Sequence, residues 1–424
     1  MFCKAKNVLI LVVLLIAVQT RAAKLFIPMD VEGQSNHLKA YGVAFAALKE
    51  NIAVDWLLNY KGGSFAIDNV ESLVRLCKLR GVNYEIITDA QFSAIIAQIA
   101  NPDFNGDIIK LEKAPRVAVY TPPNKEPWDD AVTMALTFAE IPFDKIYDDE
   151  MLDDALHKYD WLHLHHEDFT GQYGKFWAQF RFTDWYQRDQ KTAEEKAKQH
   201  GFNKVSQLKL AIAKKIRDFV AGGGYLFAMC SAPDSYDIAL AAEGVDICEV
   251  PFDGDPMDAA AQQKLDFTKC FAFKDFRIET NPYMYENSSI DASSTHQVQV
   301  PMNRDYFTLY TVSAKFDPVP AMLCQNHTTT IKGFMGQTTA FRKEVLKSSV
   351  LVMGDYKPAN EAKYIHGEFG KGTYTFYGGH DPEDYQHMVG DPKTDLSLHP
   401  SSPGYRLILN NVLFPAAKKK PRKT

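Results

Sequence analysis

The chain has 424 residues, 46% of them hydrophobic and 24% charged, with a formal net charge of −6. That composition suits packed globular domains and excludes a disordered or low-complexity protein. The acidic balance, nearer −9 once the leader residues Lys4, Lys6 and Arg21 are set aside, argues against a nucleic-acid groove on the body of the chain.

The first segment, "MFCKAKNVLILVVLLIAVQTRAAKL", places Lys4 and Lys6 before an apolar run from Val8 to Val18, then Thr20-Arg21-Ala22. This pattern predicts a signal peptide over 1–22, cleaved near Ala22 or Ala23, and export to the periplasm or beyond the cell. The run is too short to span a bilayer and no later stretch is long enough, so no stable membrane insertion is expected. A retained N-terminal anchor is the alternative. Cys3 leaves with the leader. Cys77, Cys230, Cys248, Cys270 and Cys324 remain, scattered and without CxxC spacing, which indicates neither a zinc ribbon nor a disulfide framework, though one disulfide is allowed.

Residues 23–110 read as an N-terminal α/β unit. "KLFIPMD" is a strand, "HLKAYGVAFAALKEN" a helix, and "AVDWLLNY" a strand ended by Gly62-Gly63. "VESLVRLCKLRGV" is a helix with Gly81 at its C-cap, and "NYEIIT" a third strand. This alternation predicts a parallel sheet. The pattern restarts after "LEKAP": "RVAVYTP" as strand, "PWDDAVTMALTFAEI" as helix with Pro127 in its first turn, "FDKIYDD" as strand, "MLDDALHKY" as helix, and "DWLHLHH" as strand. An aromatic excursion follows. "VSQLKLAIAKKIRDFVAGGG" is then a helix with Leu208, Ile212, Ile216 and Val220 on one stripe, and "YLFAM" is the next strand. The fold class expected is α/β, with two flavodoxin-like parallel-sheet units that carry helices on both faces.

Residues 244–357 are turn-rich and strand-biased, and read as a lobe inserted late in the second unit, whose parts are then 111–243 and 358–415. "KYIHGEFGKGTYTFYGGHDPEDYQHM" reads as a hairpin turning at Gly370-Lys371-Gly372, and "GYRLILNNVLF" as a closing helix. Residues 416–424 form a basic tail. No repeat of solenoid period occurs.

The stretch "GGGYLFAMCSAPDSYD" puts Cys230 on a strand-to-helix turn at the carboxyl end of a predicted parallel strand, where open α/β sheets bind ligands. The following helix N-terminus favours a thiolate or an oxyanion. Small residues flank the turn at Ala228 and Ala232, where a nucleophile elbow usually has glycines.

On these elements, residues 115–245 with 360–415 resemble the class I glutamine amidotransferase-like superfamily, and within it the trehalose-utilisation (ThuA-like) group, through "HGEFGKGTYTFYGGHD". The resemblance implies a cysteine nucleophile at Cys230 and a histidine base at His380; Ser231, next to the cysteine, is a candidate for substrate binding. Asp381 and Glu383 are both candidates for the carboxylate, since "HDPE" sets the family's acidic position one residue further out. The whole chain is also similar to an exported Bacteroidetes family often labelled asparagine synthetase B, through "NHLKAYG", "VDWLLNYKGGSF", "KYDWLHLHHEDFTGQYGKF", "GFMGQTTAFRK" and "GGHDPEDYQHMVGDP". ATP-dependent synthetase chemistry needs a mature N-terminal cysteine and a Ser-Gly-Gly-x-Asp-Ser loop. Neither is present, and "KGGS" at Lys61–Ser64 lacks the order.

A second constellation is "DWLHLHHEDF". Alternation puts His163 and His165 on one strand face and His166 on the other, with Glu167 and Asp168 just beyond. These five are candidates for substrate binding, and His165, His166 and Glu167 for a divalent metal, against a plain role as hydrogen-bonded loop caps. His37, ending "EGQSNH" after the first strand, is a further binding candidate. The rings of "FTGQYGKFWAQFRFTDWY" could stack on sugar or pack on the core. "DGD" and "DPKTD" read as turns rather than calcium sites. Three functions are therefore open. The first is a Cys-dependent hydrolase or amidotransferase acting on a small amide or glycan-linked substrate without cofactor. The second is a non-catalytic carbohydrate- or envelope-binding protein, and the third a metal-dependent hydrolase.

Overall fold

Strand β1 (Ala23–Ile27) leads to Asn36, whose side chain accepts from the Lys39 amide and starts helix α1 (His37–Lys49). Strands β2 (Val54–Leu58) and β3 (Ser64–Asp68) follow as a hairpin, because Lys61, Gly62 and Gly63 take φ of 42°, 73° and 85° and reverse the chain. Helix α2 (Glu71–Arg80) ends at Gly81 in the left-handed region, and β4 (Glu85–Thr88), α3 (Asp89–Ala100) and β5 (Asp107–Leu111) complete the unit. The computed structural model describes residues 23–123, 130–292, 306–332, 338, 340–384 and 392–418. The leader, Pro127 and the end of the basic tail lie outside the described residues.

This first sheet has the order β4-β1-β3-β2-β5, and every neighbouring pair in it is antiparallel. The parallel sheet expected from the alternation is thus corrected. The β1-α1-β2 crossover is split, because β3 returns from its hairpin and inserts between the two strands.

The second sheet is mixed. Strands β6 (Val117–Tyr120), β7 (Asp144–Ile146), β8 (Trp161–Leu164), β9 (Tyr225–Met229) and β15 (Gly372–Tyr377) are mutually parallel in the order β15-β9-β8-β6-β7. The 361–377 stretch forms an antiparallel hairpin of β14 (Glu361–Phe369) with β15. Lobe strands β10 (Tyr306–Leu309), β11 (Thr330–Lys332), β12 (Phe341–Arg342) and β13 (Leu351–Tyr356) extend the same sheet antiparallel beyond β14. The fold is therefore mixed α/β, built from one antiparallel and one mixed sheet.

Strand alternation divides the core. Val117, Val119, Trp161 and Phe227 face a cluster shared with Ile27, Trp56 and Phe65 of the first sheet. Ala118, Tyr120, Leu162 and Leu226 face the opposite cluster. Helices α5 (Asp148–Leu152) and α6 (Asp184–Gln199) precede helix α7 (Val205–Gly222), whose stripe of Leu208, Ile212, Ile216 and Val220 joins that cluster. Helix α1 packs on α4 (Ala131–Ala139) and on α9 (Pro403–Leu413), which is why it is buried on nearly every side. The two sheets thus share one core across the chain position near 110. The tail's first residues also pair with the first sheet, through a bridge between Ala417 and Leu111. No helix among the described residues is long and apolar enough to cross a membrane, and no disulfide joins the described cysteines.

Candidate active site

Because β15, β9, β8 and β6 run the same way in close register (Tyr377 beside Met229, Leu164 beside Ala228, Tyr120 beside Leu164), their carboxyl ends meet along one edge. At that edge β9 turns through Cys230 into helix α8 (Ala232–Ala241), with Ser231 as the N-cap residue. Cys230 has φ of +53°, the left-handed region that a side-chain-bearing residue enters at a cost of roughly 1–2 kcal/mol. Ala228 and Ala232 are not among the positive-φ residues, so alanine serves at both flanking positions.

The amides of this turn are divided. Cys230 N–H donates to the Gly379 carbonyl at 3.0 Å, and Ala232 N–H donates to the His165 carbonyl at 3.0 Å. The Ser231 amide has no acceptor among the described residues, and Ser231 Oγ is buried without a hydrogen-bond partner there. Cys230 is fully buried yet belongs to none of the apolar clusters that form the cores. Tyr285 of the lobe lies near it; burial first, and then the Cys230 charge, push the phenol well above its usual range.

His380 follows β15 after Gly379, whose φ of +102° only glycine takes easily. The His380 ring meets His165 edge-on at 4.3 Å between centroids, and lies 6.0 Å from His166 with the planes nearly parallel at 21°. Behind His165 stands Asp130, the N-cap of α4, whose Oδ1 accepts from the Thr133 amide at 2.8 Å. Its oxygens lie 3.4 Å from His163 Nε2 and 3.8 Å from His165 Nδ1. Burial alone would raise the Asp130 pKa; the two imidazoles and the Thr133 amide outweigh it and hold the carboxylate below its ordinary range. His163 Nδ1 in turn sits 3.1 Å from the Phe227 carbonyl.

The sequence candidates fall into two groups. Cys230, Ser231, His163, His165, His166 and His380 converge at the edge. Glu167 also reaches it, with Oε2 accepting from the His165 amide at 2.8 Å, and burial followed by the Asp130 charge pushes it up to about 8. It belongs, however, to neither of the two groups at this edge whose ligand atoms lie close enough to share an ion, which are His165, His166 and His380, and Asp130, His163 and His165. Asp168 folds its own loop, accepting from the Thr170 amide at 2.7 Å and the Gly174 amide at 3.1 Å. Asp381 accepts from the Glu383 amide at 2.9 Å, and Glu383 Oε2 faces His399 Nδ1 at 3.3 Å. Burial raises both of these carboxyl pKa values. His37 keeps different company: Ser401 Oγ at 2.9 Å, the Met29 carbonyl at 3.1 Å, and a stack on His327 at 4.2 Å.

Asp130 was not singled out from the sequence. The available signal was an acidic residue just before the apolar run Ala131–Ala139, a pattern that reads as ordinary helix capping. Two cavities open beside the edge, and His166 borders both. One, of about 270 Å³, is lined by Glu167 and the rings of Tyr173, Phe176, Trp185 and Tyr186. The other, of about 640 Å³, is lined by Asp130, Thr133 and Phe138.

No protein-family model matches the chain, and no functionally described relative matches it significantly in sequence. Among solved structures it is similar to Cytoplasmic Protein STM3548 from Salmonella typhimurium, at 10% identity and a TM-score of 0.34, covering 72% of this chain and 100% of that one. Cytoplasmic Protein STM1381 from Salmonella typhimurium LT2 matches at 11% identity and a TM-score of 0.32, over 72% and 100% of the two chains. The beta-galactosidase from Bacillus circulans matches at 10% identity and a TM-score of 0.26, over 69% of this chain and 32% of that one.

Proposed function

We propose that the protein is a Cys-dependent hydrolase or amidotransferase that cleaves an amide of a small or glycan-linked substrate, with Cys230 as nucleophile and His380 as base. The observation that carries this reading is the left-handed backbone of Cys230 at the strand-to-helix turn, one hydrogen bond from the residue before His380. Strain of this kind persists where surrounding structure enforces it, and it gathers at reactive centres. The resemblance to the amidotransferase-like superfamily points the same way.

In the reaction, the Cys230 thiol gives its proton to His380 and the sulfur adds to the carbonyl carbon. The Ser231 amide donates to the oxygen as it gains charge. The C–N bond then breaks, and the amine leaves with the proton from His380. Water, giving its proton to His380, adds to the thioester; the C–S bond breaks and the proton returns to sulfur. A second amine in place of water makes the transfer reaction. Asp381 accepts from the Glu383 amide and Glu383 faces His399; the charge we assign to orient His380 is Asp130, acting through His165.

The test is native alkylation. Iodoacetamide near neutral pH should label Cys230 ahead of Cys77 and Cys324, whose thiols burial pushes up to about 11 and about 12. His380→Asn should slow that labelling. The full burial of Cys230 favours the second reading, a binding protein without chemistry. A thiol inert until the chain unfolds would favour that reading over the hydrolase.

A further inference from the structure

We propose that His165, His166 and His380 together bind a divalent cation of the zinc class, and that its binding disarms Cys230; the second half rests on His380 being the base. One nitrogen from each ring can be chosen so that all lie within 4.8 Å of one another. Zn–N bonds of about 2.0–2.1 Å need nitrogens closer than that bound, so binding would draw the three rings together. The donor set is all imidazole, which suits zinc, copper or nickel and excludes calcium and magnesium, since those ions take oxygen ligands.

A second observation is the carboxylate behind the cluster. Asp130 lies 3.8 Å from His165 Nδ1 and is itself pinned by the Thr133 amide at 2.8 Å. At 3.8 Å this is an electrostatic contact rather than a hydrogen bond, and a buried negative charge beside a ligand imidazole strengthens the donor. The ion can approach along the cavities that His166 borders. Glu167 is spent elsewhere, on the His165 amide, which is why His380 rather than Glu167 completes the set. A His380 nitrogen whose lone pair is on a metal has none to take the thiol proton. The cation and the reaction therefore compete for one atom.

The experiment titrates chelator-stripped full-length protein with zinc alone, against a chromophoric chelator. One equivalent should bind. Binding should be lost in His165→Ala and in His166→Ala, both checked for native circular dichroism, and kept in Glu167→Gln. Asp130→Asn should weaken it roughly 10- to 100-fold. Zinc should slow iodoacetamide labelling of Cys230, and chelation should restore it. Failure of folded wild type to bind zinc, or binding that survives His166→Ala, overturns the site. Labelling unchanged or accelerated by zinc overturns the competition while leaving the site. Cys230 unreactive even without zinc removes the hydrolase reading, and with it the competition, but not a stoichiometry already measured.

Discussion

The Cys230 amide and the Gly379 carbonyl are joined by a 3.0 Å hydrogen bond that ties the turn after β9 to the turn after β15. Both residues have positive φ, +53° and +102°. The bond holds a side-chain-bearing residue in a conformation glycine would take without strain. Cys230→Gly should therefore cost less than the same change at Cys270, which is equally buried but sits in an apolar cluster with φ of −67°. The difference should be roughly 1 kcal/mol or more, read from urea unfolding. Equal losses would mean that Cys230 is not strained.

Lys209 is buried against Asp148, with Nζ 2.8 Å from Oδ1 and 2.8 Å from the Tyr120 hydroxyl. Burial lowers the lysine pKa, but Asp148 and Tyr147 outweigh it and raise it. Lys209→Met strands the carboxylate and should cost about 3–5 kcal/mol. Lys209→Met with Asp148→Leu should recover much of that loss. A double variant as unstable as the sum of the singles would show that the pair does not interact.

The carboxyl-edge cluster was legible because its signals are local. A glycine-stopped helix, a short apolar strand and a small-residue turn sit together around Cys230, and "HLHH" alternates along one strand. The first sheet was not legible, because Gly62-Gly63 read as the stop after "AVDWLLNY" and Ser64–Asp68 behind it was given no element, so the return of the hairpin was passed over. Missing β3, and β5 at the end of the unit, turned a split antiparallel arrangement into an apparent parallel one. Asp130 was missed for another reason: its meeting with His163 and His165 joins positions more than thirty residues apart, and only the sheet order brings them together.

His366 supplies a pH dependence. It is buried on β14 with Nδ1 3.0 Å from Thr375 Oγ1, and burial, opposed by a backbone contact at Tyr374, brings its pKa down to about 4 from 6.5. The folded state refuses a proton that the unfolded chain accepts. Stability from this group is thus complete above pH 6.5 and is lost as pH falls from there toward 4. At pH 5 the loss should be about 2 kcal/mol. His366→Gln should flatten the decline in unfolding midpoint between pH 7 and pH 5, and an unchanged slope would place the acid sensitivity elsewhere.

Gly42 of α1 faces the end of α4 so closely that an added Cβ would lie 1.8 Å from the Ala139 carbonyl oxygen. This contact is where the antiparallel unit docks on the helix that begins at Asp130, so it bears on the candidate site as well as on stability. In most helix positions Gly→Ala stabilises by up to about 1 kcal/mol. At Gly222, near the end of α7 with nothing within 4 Å, that gain is expected. At Gly42 the sign should reverse, with a loss of about 1–3 kcal/mol or more, because backbone rather than a flexible side chain must move. Pushing α4 away should also loosen Asp130 from His165, so Gly42→Ala should weaken zinc binding while Gly222→Ala leaves it intact. Equal stability of the two variants would mean that the helices do not meet as closely as the glycine implies.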